Sequence, residues 1–185
     1  GWGYVDEEDR GELRSHSVDV GVCRRASARL GMGVGPREEY IRAGLRVGRG
    51  ADSPAATEST DMLSEMRLGM LLQRAVNPGR FLDSHTMLEV ATLGGARALG
   101  IADKVGSLEI GKCADMIAVD LSSSHQSFTP DPVAAVVNTC TTADVLMTMV
   151  HGNVLYDKHR WHVEVEVAKS IARVIEIRSK LRPEA

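Results

Sequence analysis

Two short apolar runs constrain this chain more than any other feature. Val18 to Val22 ends at Cys23, and Leu45 to Gly48 leads through Arg49-Gly50-Ala51 to Asp52. Between them, Pro36 to Ala43 has helical composition, with proline at the first position and Gly44 at the close. After Asp52, a helical pattern runs from Asp61 to Arg74. Parallel strands need a crossover connection, and a helix supplies it, so strand–helix–strand–loop–helix predicts a parallel α/β unit. Functional groups in such units sit on loops at the carboxyl ends of strands, where Cys23 and Asp52 both fall.

The flanking segments are read from caps and periodicity. Asp6-Glu7-Glu8-Asp9 opens a helix to about Ser15, its acidic residues placed where the helix dipole favours them. Gly1 to Tyr4 reads as the end of a loop. Arg24 to Gly35, rich in small and basic residues, suits a loop lining a site and lacks a dinucleotide fingerprint in its strand–turn–helix setting. Ser53 to Thr60 is expected to be a loop. Met62, Met66 and Met70 recur every four residues, with Leu63 and Leu71 beside them, which predicts core packing. Ser84 is a candidate cap for a helix through Leu99 that Gly100 ends, and the Gly94-Gly95 pair inside it marks close packing.

The texture changes after Gly100. Gly106 to Lys112 is expected as turn–strand–turn, Asp115 to Leu121 as a strand, and Asp131 to Val137 as a short helix. Val145 to Val150 and Val154 to Tyr156 form a hairpin around His151-Gly152-Asn153. An amphipathic helix from Glu164 to Leu181 ends the pattern. The division expected is therefore 1–100, 101–162 and 163–185.

A net charge of −3 offers no basic field for nucleic acid. No apolar run reaches the roughly 20 residues that span a bilayer, and no signal pattern opens the sequence. A cytoplasmic location without a membrane or nucleic-acid partner is the expectation. Cys23, Cys113 and Cys140 are far apart and odd in number, which reads as free thiols. A catalytic thiol at Cys23 is the alternative, though no histidine is near it in sequence. No His-x-His occurs, and the histidines do not form a site by themselves.

Three runs carry a family resemblance: Glu65-Met66-Arg67 onward to Ala75, Ala91-Thr92-Leu93-Gly94-Gly95 onward to Gly100, and Gly106-Ser107-Leu108-Glu109-Ile110-Gly111-Lys112 onward to Asp120. In this order they resemble the amidohydrolase superfamily, in the branch of S-adenosylhomocysteine/methylthioadenosine deaminases, guanine and 8-oxoguanine deaminases and triazine hydrolases. The resemblance implies an α/β fold: the C-terminal part of a metal-dependent TIM (β/α)8 barrel, part of a small β-sandwich, and a C-terminal helix. It implies a complementary N-terminal half, as a separate chain or a cleaved product, and a higher oligomer.

The family's chemistry is hydrolysis at a nitrogen heterocycle such as an aminated purine, pyrimidine or triazine. One divalent metal, zinc or alternatively iron, is held by histidines of the first, fifth and sixth strands and an aspartate of the eighth. Asp52 matches that aspartate, as metal ligand and as general base then acid; the histidines fall to the missing half. Cys23, Arg24, Ser27 and Ser53 are the matching substrate-side positions. Departures are equally specific. Where the family has His-Cys/Asn-Pro-x-Ser-Asn after the seventh strand, this chain has Val22-Cys23-Arg24-Arg25-Ala26-Ser27, and Arg49 replaces the usual apolar residue. Two functions follow: an enzyme half active with its complement, or a degenerate partner that stabilises or regulates an active homologue.

Overall fold

The computed structural model describes residues 5–34, 37–79, 81–164 and 166–181. Helix α1 (Glu7–Ser15) is opened by Asp6, whose carboxylate accepts from Asp9 N–H while Asp9 returns the bond in a capping box. Strand β1 (Val20–Val22) leads into α2 (Arg24–Arg29), α3 (Arg37–Arg42) and β2 (Val47–Arg49). β1 and β2 pair in parallel, Val20 with Val47 through Val22 with Arg49, as the crossover pattern predicts. Gly44, at φ +78°, closes α3. The readings of Gly1 to Tyr4 and of Pro36 fall outside the described residues.

The segments expected as loops after each strand fold into helices instead. Arg24 to Arg29 is arginine and alanine apart from Ser27, good helix formers with no breaker until Gly31, and they make α2. Pro54 stands at the first position of α4 (Pro54–Thr57), which Glu58 ends in the left-handed region. Helix α5 (Met62–Val76) is capped by Asp61, which accepts from the N–H groups of Leu63 and Ser64.

The expected helix from Ser84 is two helices, α6 (Ser84–Ala91) and α7 (Leu93–Ala98), broken at Thr92, and the cap is Asp83. The glycine pair does mark close packing. A Cβ on Gly94 would stand 2.8 Å from the Val47 carbonyl, and one on Gly48 3.1 Å from Gly95 Cα. Helix α7 thus lies directly on β2.

The remainder comprises β3 (Met116–Val119), α8 (Pro132–Asn138), β4 (Val145–Val150), β5 (Asn153–Asp157), β6 (Arg160–Trp161) and α9 (Val167–Leu181). The strands form one antiparallel sheet in the order β3-β4-β5-β6. Gly106 to Lys112 forms turns rather than a strand.

The architecture is mixed α/β: a partial, barrel-like parallel sheet, a small antiparallel sheet and a C-terminal helix. Two cores hold it. Val5, Val20, Tyr40, Leu45, Val47 and Val90 pack around the parallel strands. Leu63, Met66, Met70, Met87, Val137 and Cys140 join α5, α6 and α8, with Val119 and Val145 against them. Met66 and Met70 of the predicted stripe are buried, but Leu71 is 53% exposed. Full burial of such a side chain contributes about 1.5–3 kcal/mol. Every described residue of α9 is exposed. Among the described residues, no helix is long and apolar enough to cross a membrane.

Candidate active site

The parallel strands bring the two loop positions together. Cys23 follows β1 and precedes the first residue of α2. Asp52 follows β2 and takes φ +66°, a conformation an L-residue adopts only where its surroundings hold it. Its Oδ1 accepts from Ser53 N–H at 2.6 Å. Burial raises the Cys23 pKa, and the negative charges of Asp52 and Glu65 raise it further. The Asp52 backbone and the Arg49 charge act in the opposite direction. Cys23 is therefore held as a neutral thiol rather than an activated thiolate.

Cys23, Asp52 and Ser53 share one end of the strand pair, and both Asp52 and Ser53 are exposed. Ser27 Oγ donates to the Cys23 carbonyl at 3.1 Å, which turns its hydroxyl onto its own helix. Arg24 is placed differently. It is 3% exposed, and its charge is felt by Tyr40 and Arg49 in the interior.

A group of charges beneath the loops was not legible as a unit in the sequence. Glu65 on α5 is fully buried, and its Oε1 accepts from Arg25 N–H at 3.1 Å and from Arg49 Nη2 at 3.2 Å. Arg25 Nε lies 3.3 Å from Glu65 Oε2, and Arg25 Nη2 donates to Ser64 Oγ at 2.8 Å. Arg49 also donates to the Glu65 carbonyl. Burial pushes the Arg49 pKa down to about 10, against the opposing pull of Glu65. The available signals were an arginine within an apolar strand and a glycine inside α5. A Cβ on Gly69 would run into the Arg49 guanidinium, which accounts for that glycine. Farther out, Arg29 donates to the carbonyls of Ala55 and Ala56 at 3.3 Å and pairs with Glu58 at 2.6 Å, tying α2 to α4.

The fold and these loop positions can be set beside known proteins. The sequence model of the amidohydrolase family matches residues 4–155. The chain belongs to this family. Among amidohydrolase relatives, it is 35% identical over 158 residues to the 5-methylthioadenosine/S-adenosylhomocysteine deaminase of Pelotomaculum thermopropionicum, covering 85% of this chain and 36% of that protein. It is 31% identical over 153 residues to the S-triazine hydrolase of Gordonia rubripertincta, covering 82% of this chain and 32% of that one. The crystal structure of an adenosine deaminase from Xanthomonas campestris with bound zinc is similar at a TM-score of 0.89 and 29% identity. It covers 96% of this chain and 40% of the enzyme. This amidohydrolase chain thus spans well under half the length of the proteins it matches.

The zinc of that relative gives a test of the donor set here. Zinc sites take about four ligands, and Asp52 could supply one. Among the described residues, no group of three or more His, Cys, Asp or Glu side chains could hold a metal ion. All six histidines are exposed. His85 pairs with Asp131 at 3.2 Å, His125 lies 3.7 Å from Asp144, and His16 lies beside Glu12. His151 sits in the β4–β5 turn, His159 contacts Tyr156, and His162 donates its N–H to the Leu155 carbonyl. The described residues of this amidohydrolase do not fit a zinc centre by themselves.

Proposed function

We propose that this chain serves as the C-terminal part of an amidohydrolase assembly, and that its own contribution is structural. It is a degenerate partner that completes and stabilises a complementary half carrying the remaining strands. The observation that carries this reading is the segment after β1. Where the resemblance calls for His, Pro and Asn, Val22 to Ser27 forms a strand end and a short helix fastened to Glu65, with Arg24 buried in the interior. In this reading residues 1–100 supply barrel, 101–162 supply a share of a sandwich, and 163–185 form a tail.

A second reading is favoured by one residue. Asp52 stands at the end of β2 in Gly50-Ala51-Asp52, with an exposed carboxylate. Joined to a half that brings the histidines, it would be the acidic ligand and proton-transfer group of a zinc- or iron-dependent deaminase. Cys23, Arg24, Ser27 and Ser53 would then border an aminated purine, pyrimidine or triazine. The named activities of the relatives, on methylthioadenosine, S-adenosylhomocysteine and triazines, support this substrate class.

One experiment separates the two. The chain is co-expressed with a segment encoding the remaining amidohydrolase strands, and the purified complex is assayed for metal and for ammonia release from aminated heterocycles. The structural reading expects a stable complex in which Asp52→Asn changes neither quantity. Loss of both in Asp52→Asn establishes the second reading. A stable monomer that takes up no such segment contradicts both.

A further inference from the structure

Glu65 is fully buried on α5, yet both segments that carry the candidate site end on its carboxylate. Arg25 stands two residues after Cys23, and Arg49 is the last residue of β2, three before Asp52. Oε1 accepts from Arg25 N–H at 3.1 Å and from Arg49 Nη2 at 3.2 Å, while Oε2 faces Arg25 Nε at 3.3 Å. Above this junction, the Cys23 sulfur lies against the backbone of the other loop: a Cβ on Gly50 would stand 3.2 Å from it.

We propose that Glu65 is a positioning residue: a latch that sets the spacing between the Cys23 loop and the Asp52 loop. The strands themselves are weak spacers, since each is three residues long and they pair only with each other among the described residues. Bonds to a charged acceptor are the stronger kind, and exclusion of water strengthens them further. Because one oxygen serves donors from both loops, a shift of either loop is transmitted to the other. Packing of α5 is supplied separately by Leu63, Met66 and Met70, so the carboxylate is not needed as filler.

The inference rests on the reading that Asp52 and Cys23 mark the site. Its test reads the accessibility of Cys23 without reference to metal or turnover, so its failure is distinguishable from failure of that reading. The full chain is labelled with iodoacetamide under native conditions, and modification is quantified separately at Cys23 and at Cys113, which is free and half-buried. Arg25→Met leaves the backbone N–H bond to Oε1 but removes the guanidinium from Oε2 and from Ser64 Oγ, and is expected to raise the Cys23 rate about tenfold while Cys113 is unchanged. Arg25→Lys, which keeps the charge, should stay within about twofold of the parent. Glu65→Gln should raise the rate further, because loss of its charge also lowers the Cys23 pKa, so the decision rests on Arg25→Met. Arg46→Met is the control, because its pair with Asp19 bridges the opposite end of the same strands. An unchanged Cys23 rate in folded Arg25→Met overturns the latch. So does an equal rise at both cysteines, which would mean that the group only holds the fold together.

Discussion

Arg49, at the end of β2, and Glu65, on α5, form an ion pair at 3.2 Å with side chains 0% and 1% exposed. Nε and Nη1 of Arg49 have no hydrogen-bond partner among the described residues. A pair so deeply desolvated stabilises little in total but is costly to break from one side. Glu65→Gln leaves two guanidinium groups without their anion, one of them buried, and is expected to cost about 3–5 kcal/mol in urea unfolding. Adding Arg49→Met removes the stranded charge and should recover part of that loss. Strictly additive costs would contradict the pairing.

The contact of α7 with β2 makes neighbouring glycines unequal. A Cβ on Gly94 meets the Val47 carbonyl at 2.8 Å, whereas one on Gly95 meets nothing nearer than Val90 O at 3.9 Å. Gly94→Ala is expected to lose about 1–3 kcal/mol by forcing the helix off the strand. Gly95→Ala should be neutral or gain up to about 1 kcal/mol from helix propensity. Chemical denaturation of the two variants decides the matter.

An acid-limb effect follows from Asp83. The Thr86 backbone N–H, at 2.7 Å, and the Thr86 side chain hold its pKa below the ordinary carboxylate value, with His85 adding in the same direction. A depressed folded pKa gives stability that is present above the unfolded value of about 3.9 and lost as pH falls through the folded value. Asp83→Asn keeps a cap acceptor but cannot titrate. It should be less stable than the parent at about pH 6, and the gap should close toward about pH 3. Urea midpoints at both pH values are the check, and a constant gap would contradict the assignment.

Helix α9 is expected to be separable. Val167, Ile171, Val174 and Ile175 are each more than half exposed, and none of its described residues is buried. Removing residues 166–181 should leave the thermal unfolding midpoint unchanged and reduce light scattering, since the deletion takes away exposed apolar surface. A clear fall in the midpoint would show that the helix supports the rest of the chain.

The legible parts of the sequence were those with a local cause. Helices expected from Asp6, Asp61 and Asp131 form, each of these residues being the cap, and the pairing of β1 with β2 follows from the crossover between two apolar runs. The Met66–Met70 stripe was legible from period alone, while Leu71, one position round the helix, faces out. The loop expectations do not hold at Arg24 to Arg29 and at Pro54 to Thr57, because small and polar residues also suit short helices, and the packing of α2 on α4 and α5 selects that form. Within the site, Cys23 and Asp52 could be set at the same strand ends. The junction at Glu65 could not be read, because it joins side chains 16 and 40 residues apart. Its local traces are Arg49 within an apolar strand and Gly69 inside α5.

Among its described residues, this amidohydrolase chain holds one carboxylate of a candidate centre, Asp52, and no group that could bind a metal by itself. Zinc content of the purified chain, measured together with ammonia release from aminated purines and triazines, tests it most directly. Zinc well below one per chain and no turnover are expected. One zinc per chain, with turnover that Asp52→Asn abolishes, would contradict it.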